Sequence, residues 1–363
     1  MNILITAPSL DANKNVSGVA SVTNAIISHN INHKYHHYLL GSPDKRLSKP
    51  LWALELIKQI LLFPFFLRKH KIDIVHQNLP FNPKGLIREY LINTWCRILK
   101  VPVFLHIHGG EFLMNKTNSL FFRILSNSIF KNSSEVVVLS ELEKIAIAEN
   151  YDFHSAKVLV NCVDTSLYVN MGKKYDPKKP VLLFLGRIHE SKGIPDLIEA
   201  LKLLKKKFDF VFYLCGTGPL KEELITSCQE LLGSDFKYWG IVSGSSKIDI
   251  IKDSDYFLLP SRYGEGLPIA LLESMASGVV PIVTDDASMK YVVKDGLNGI
   301  KVKKYDPNSI FERLNEIINS SSSYEFLSKS AQKEVQEKYD IRNYILQLNF
   351  IYNEIKVRFK IQD

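Results

Sequence analysis

The sequence is poor in cysteine. Cys96, Cys162, Cys215 and Cys228 are the only four, and none stands in a CxxC pair or in a Cys/His cluster with zinc spacing. That excludes a disulfide scaffold and a zinc module, and the expectation is reduced thiols in a cytoplasmic protein. Long apolar runs are also lacking. "ILLFPFFL", residues 60–67, is interrupted by Pro64 and is far shorter than the roughly 20 residues that span a bilayer. "MNILITAPSL" carries neither a basic n-region nor a small-residue cleavage site, so no secretory signal is expected. Internal repeats and nucleic-acid-binding motifs are missing as well, and no nucleic-acid partner is expected.

What is there suits a soluble globular protein, with 46% hydrophobic and 23% charged residues. The 363 residues exceed what one core supports, so two domains are expected. The net charge of +8 is uneven. Residues 1–170 hold 18 Lys and Arg against 12 Asp and Glu, and the remainder holds 28 against 26. A basic first part suits an anionic partner, either phospholipid head groups or a phosphorylated substrate, or is simply a basic surface.

Near-continuous apolar runs of strand length recur along the chain. One set is "NILITA" (2–7), "IDIVHQ" (72–77), "VPVFLHIHG" (101–109), "EVVVLS" (135–140) and "AKVLVN" (156–161). A second is "VLLFLG" (181–186), "FVFYLCG" (210–216), "YFLLPS" (256–261) and "VVPIVT" (279–284). Such runs fit strands buried on both faces of a parallel sheet. Helix-like stretches between them, such as "PDLIEALKLLKKK" (195–207), predict α/β doubly wound layers. The polar, lysine-rich "DTSLYVNMGKKYDPKKP" (164–180) is the domain boundary. "NSSSS" (319–323) reads as a polar loop and 339–359 as a terminal amphipathic helix.

Ligands of open α/β sheets bind beyond the carboxyl ends of the strands, and the informative residues stand there. "GRIHESKG" (186–193) brings Arg187 and Lys192 close to the start of a helix opened by Pro195. Two cations and free helix N–H groups suit a diphosphate; the alternative is a solvated basic loop. In "CGTGPL" (215–220), Gly216 and Gly218 either let backbone approach a ligand or make a tight turn. "PSRYGEGLPIALLESMASG" (260–278) sets Glu265 before a helix that Pro268 should open, and Glu273 inside it, about 7.5 Å along the axis. The amides of Gly266, Leu267 and Ile269 would face an anion. Glutamates on either side of an anion site suit hydroxyl groups attached to that anion, as in a nucleotide sugar; alternatively both are ordinary helix glutamates. "DSD" (253–255) has the Asp-x-Asp form of a metal site but reads as a helix end and strand start.

"GRIHESKG", "GTGP" (216–219) and "EGLPIALLE" (265–273), in this order and spacing, resemble the C-terminal domain of the family 4 retaining glycosyltransferases of GT-B fold. "SGVA" (17–20), "HIHGGEF" (106–112) and "VNCVDTSLY" (160–168) resemble that family's N-terminal half and domain crossing. The resemblance implies two Rossmann-like domains facing a cleft. Residues 1–165 form the acceptor side, with a terminal helix at about 343–363 packing back on it, and 166–342 bind the nucleotide sugar. Arg187 and Lys192 would hold the donor diphosphate, with Gly18 close to it. Glu273 would bind ribose, and Tyr238 to Ile241 would border the base. Glu265 would contact the donor sugar beside Gly266 and Leu267, and His108 would lie near the reacting sugar. Glu111 is an acceptor contact or a surface loop residue. The implied donor is a UDP-sugar, or else a GDP-sugar, with no cofactor and no metal. Cys162 stands where the family has glycine, "SGVA" offers one glycine rather than two, and "TDDASMKYVV" (284–293) replaces a Gly-Gly turn. An epimerase of the same fold and a non-catalytic nucleotide-sugar-binding protein are the rival readings.

"KPLWALELIKQILLFPFFLRKHK" (49–71) mixes Trp52, Phe63, Phe65 and Phe66 with Lys49, Lys58, Arg68, Lys69 and Lys71. It reads either as a helix on an anionic membrane surface, near a lipid-linked acceptor on the inner face of the cytoplasmic membrane, or as a helix that turns Leu54, Ile57, Ile60 and Leu61 to the core.

Overall fold

The computed structural model describes residues 1–11, 15, 17–41, 48–168, 175–263, 266–286 and 288–361. The chain divides into two compact units. Unit 1 comprises Met1–Asn161 with Ile341–Asp363, and unit 2 comprises Cys162–Asp340.

Unit 1 is built on a six-stranded parallel sheet. Its strands are β1 (Asn2–Ala7), β2 (Lys34–Leu39), β3 (Ile74–Leu79), β4 (Val103–Ile107), β5 (Glu135–Val138) and β6 (Lys157–Val158), in the order β2-β1-β3-β4-β5-β6. The helices are α1 (Gly18–His29), α2 (Lys49–Lys69), α3 (Pro83–Leu99), α4 (Glu111–Met114), α5 (Leu120–Asn132) and α6 (Glu141–Tyr151). Every residue of β3 is buried, because helices cover both faces of the sheet. On one face Val75, Leu79 and Leu105 meet Phe63 and Leu67 of α2, Leu86 and Ile92 of α3, and Ile129 of α5. Each such side chain contributes about 2 kcal/mol by leaving water. Helix α3 packs between α2 and α5.

Unit 2 repeats the plan with β7 (Val181–Leu185), β8 (Val211–Cys215), β9 (Phe236–Gly240), β10 (Tyr256–Leu259), β11 (Val280–Thr284) and β12 (Ile300–Val302). The order is β12-β11-β10-β7-β8-β9, and all pairs are parallel. Its helices are α7 (Ile194–Lys205), α8 (Lys221–Leu232), α9 (Gly244–Lys252), α10 (Ile269–Ala276), α11 (Met289–Val292), α12 (Pro307–Ile317) and α13 (Ser321–Lys338). The last helix, α14 (Ile341–Phe359), returns to unit 1 and packs on α1.

Several expectations are corrected. Strands β2, β9 and β12 are sheet edges, where one side lacks a strand neighbour, and their sequences lack continuous apolar runs. The serine run is the start of α13 rather than a loop, and Ser320 Oγ accepts the Ser323 N–H at 3.2 Å as its cap. Pro268 is the extended residue before α10 rather than its first residue. Helix α2 runs 21 residues, and its Pro50–Lys69 stretch is long and apolar enough to cross a membrane by length and composition. Its core face is Phe63, Leu67 and Gln59, whereas Leu54, Ile57 and Leu61 are more than half exposed.

Candidate functional site

In unit 2, three loops leave the carboxyl ends of the adjacent strands β10, β7 and β8 and interlock. Gly216 has φ +133°, and a Cβ there would lie 1.8 Å from the Gly186 carbonyl oxygen. A Cβ on Gly218 would lie 2.1 Å from the Ile188 oxygen. Both glycines therefore let backbone meet backbone. The chain they admit is the loop carrying Arg187. Backbone hydrogen bonds join the same loops: Ile188 N–H to Thr217 O at 3.0 Å, and Arg262 N–H to Ser191 O at 2.8 Å.

Arg262 was not anticipated as a site residue. Its guanidinium forks onto the buried Asp196 carboxylate at 2.7 and 2.8 Å and reaches Glu190 at 3.2 Å. It also lies 4.7 Å over the Tyr305 ring. This clamp ties the loop after β10 to the first turn of α7. The sequence signal is its position just past a buried strand, three residues after β10, as Arg187 stands two residues after β7.

Arg187 itself is exposed on this framework, and Lys192 closes a 3-10 turn over Glu190–Lys192. Tyr238 donates its hydroxyl to Gly216 O at 3.0 Å. With Trp239 and Ile241 it leaves an exposed apolar edge along β9. Leu267 is buried just before α10. Glu265 lies outside the described residues, and Gly266, half-buried, is the first described residue after it.

Glu273 is not an exposed helix residue: it is 6% exposed. Its Oε1 accepts from the Tyr168 hydroxyl at 2.9 Å and from Lys247 Nζ at 2.5 Å. Oε1 therefore already has two protein donors. Lys247 stands in the first turn of α9, the helix after β9, and α9 packs on α10. Nothing in the sequence pairs residues 26 positions apart, and neither Lys247 nor Tyr168 was anticipated.

The "DSD" carboxylates are engaged by the protein. Asp253 ends α9 and accepts from the Tyr213 hydroxyl at 2.6 Å. Asp255 accepts the Val181 N–H at 2.7 Å, joining β10 to β7. Among the described residues no group of three or more His, Cys, Asp or Glu could hold a metal ion.

In unit 1, Gly18 is the exposed first residue of α1, capped by Ser17, and Glu111 is the exposed first residue of α4. His108 follows β4. Its loop is pinned by Gly110, at φ +133°, where a Cβ would lie 2.3 Å from the Phe81 oxygen. His108 Nε2 is 2.7 Å from Asn78 Oδ1. The Asn78 amide nitrogen donates to Thr6 O at 2.7 Å, so Oδ1 faces the ring and Nε2 carries the proton. Nδ1 keeps its lone pair. Burial holds the His108 pKa down at about 3, so the ring is neutral at pH 7. Behind it the His106 ring lies 4.0 Å away, His106 Nδ1 meets His76 Nε2 at 3.2 Å, and His76 Nδ1 meets the Tyr352 hydroxyl of α14 at 2.6 Å. Desolvation lowers His76 and His106 well below the ordinary range.

Two parallel-sheet units with loops crowding the strand carboxyl ends invite comparison with known proteins. Residues 172–334 match the family model of glycosyl transferases group 1. That stretch lies in unit 2 and includes the Arg187, Gly216 and Glu273 segments. An uncharacterized glycosyltransferase of Methanocaldococcus jannaschii is 28% identical over 284 residues, 78% of this chain and 76% of the relative. The Escherichia coli UDP-Gal:alpha-D-GlcNAc-diphosphoundecaprenol alpha-1,3-galactosyltransferase is 24% identical over 328 residues, 86% of this chain and 83% of its own length. Among solved structures, Anabaena HepE in complex with UDP and glucose superposes with a TM-score of 0.76 at 15% identity, covering 98% of this chain and 100% of that one. The fold is the two-domain α/β GT-B fold.

Proposed function

We propose that this chain is a family 4 retaining glycosyltransferase. It moves a sugar from a nucleoside-diphosphate sugar, UDP-linked before GDP-linked, to a lipid-linked glycan acceptor at the inner face of the cytoplasmic membrane, in surface polysaccharide assembly. Residues 166–342 take the donor, and residues 1–165 with the terminal helix take the acceptor.

The observation that carries the reading is the interlocked loop set of unit 2, with exposed Arg187 and nearby Lys192 at the carboxyl ends of adjacent strands. The family match over 172–334, the E. coli relative's diphosphoundecaprenol-linked acceptor and the UDP bound by HepE support it.

Arg187 and Lys192 hold the diphosphate. Tyr238 and Ile241 border the base. Glu273 accepts a ribose hydroxyl through Oε2, while Tyr168 and Lys247 fix its Oε1. Glu265 and the amides of Gly266 and Leu267 meet the donor sugar. In the transfer, the bond between the anomeric carbon and the phosphate oxygen breaks as charge develops on the phosphate. Arg187 and Lys192 supply fixed positive charge there, so no metal ion is required for it. The acceptor oxygen bonds to the same face of the sugar, and its proton passes to the departing phosphate. Neutral His108 offers Nδ1 as an acceptor to a sugar hydroxyl rather than acting as an acid. Glu111 contacts the acceptor.

The test is incubation with UDP- and GDP-sugars and a polyprenyl-diphosphate-linked sugar, followed by proton NMR of the product anomer. Transfer with the donor's anomeric configuration is expected. Conversion of the nucleotide sugar without acceptor would favour the epimerase. Nucleotide-sugar binding without turnover across the panel would favour the non-catalytic reading.

A further inference from the structure

We propose that the outer face of the α2–α3–α5 layer is the surface by which unit 1 docks on an anionic lipid bilayer. This rests on the reading that the acceptor is lipid-linked and deepens it by naming the contact.

Helix α2 is apolar on two sides. Phe63 and Leu67 enter the core, while Leu51, Leu54, Leu61, Leu62 and Phe65 form an outward stripe, each at least 49% exposed. The neighbouring α3 adds Ile87, Leu91 and Ile98 at helical spacing, and α5 adds Leu120, Phe121 and Ile124. A helix that merely covers a sheet has a polar outer face. Helices α7, α8, α9, α10 and α12 of unit 2 follow that rule: none of their described residues is an exposed large hydrophobic. The α2–α3–α5 layer breaks it three times over.

Charge decides which partner fits. The three helices hold nine Lys and Arg residues and two glutamates. One of these, Glu89, is buried against Arg88 and Gln77, and the other, Glu55, pairs with Lys58 at 3.8 Å. Exposed Lys58, Arg68, Lys69, Lys84, Arg97 and Lys131 therefore rim or interrupt the apolar stripes. A protein partner burying this face would need to match both oil and positive charge. An anionic bilayer supplies both at once, with acyl chains beneath phosphate head groups. At about 31 Å, α2 is long enough to cross a bilayer, but its inner face is committed to the sheet, so it lies along the interface.

Co-sedimentation of the full chain with phosphatidylcholine vesicles, with and without phosphatidylglycerol, tests this. Binding is expected only with the anionic lipid and should weaken with salt. Leu54→Glu/Leu61→Glu/Phe65→Glu should lower partitioning by on the order of 10-fold or more. Lys58→Glu/Arg68→Glu/Lys69→Glu, which leaves every apolar contact in place, should do the same. All six positions are exposed, so melting temperature and UDP affinity should stay at the wild-type values. Failure of the wild type to bind anionic vesicles at low salt overturns the proposal. So does a dimer in sedimentation velocity that the first triple variant disperses, because a second copy would then cover the face. A chain that binds vesicles but no nucleotide keeps this surface and loses the transferase reading; one that binds UDP but no vesicle does the reverse.

Discussion

Replacing Lys247 with methionine isolates the contact that organises Glu273. The Lys247 side chain is 19% exposed and that of Glu273 7%, with 2.5 Å between Nζ and Oε1. Removing one partner from a fully buried pair costs about 3–5 kcal/mol, and from an exposed pair about 0–1. Lys247 keeps a fifth of its exposure, and Tyr168 still donates to Oε1 at 2.9 Å, so the loss should be ~2 kcal/mol. For a unit spanning residues 162–340, that lowers the melting temperature by roughly 4–8 °C. Calorimetric melts of wild type, Lys247→Met, Glu273→Gln and the double variant check it. The double variant should lose much less than the sum of the singles, because the pair is then removed whole. UDP affinity should fall several-fold in Lys247→Met, since the carboxylate loses its orientation. An unchanged melt, or tighter UDP binding, would refute the idea that Lys247 positions Glu273.

Other outcomes follow from the same geometry. Arg262→Ala should leave Asp196 buried and unpaired, costing about 3 kcal/mol, and should loosen the loop toward Glu265; thermal melts and UDP titration measure both. Gly216→Ala should abolish nucleotide binding or folding of unit 2, because its Cβ would meet Gly186 O at 1.8 Å; circular dichroism separates the two. Glu273→Gln should weaken nucleotide and nucleotide sugar alike, whereas Glu265→Gln should chiefly slow transfer, and steady-state kinetics would expose swapped roles. His108, His76 and His106 have folded pKa values below the unfolded value, so the unfolded chain binds more protons below pH 6.5. Their contribution to stability is whole above that pH and is lost as pH falls, by about 1.4 kcal/mol per unit for His108 down toward pH 3. His108→Gln should flatten the acid limb of stability against pH.

The interior strands were legible because continuous apolar runs mark strands covered on both faces, as in β3 and β11. The edges were not: "KYHHYL" and "FKYWG" carry too few buried positions to stand out. Loops after the strands could be read from Arg187 and Gly216, since cations and glycines are unusual directly after apolar runs. Their internal wiring could not. Arg262–Asp196 and Lys247–Glu273 join residues 66 and 26 positions apart, and no local spacing encodes them. Helix α2 misled for a related reason. Its apolar positions nearly encircle it, so periodicity alone could not say that Phe63 faces the core and Leu61 the outside.

The donor site is tested most directly by titrating UDP and GDP into wild type, Arg187→Ala and Lys192→Ala in a calorimeter. Wild type should bind one nucleotide diphosphate, UDP preferred, and each variant should lose about tenfold or more in affinity, the scale of a charge-assisted phosphate contact. Equal affinity in all three proteins, or no binding of either nucleotide by wild type, would contradict the assignment of the diphosphate to the loop after β7.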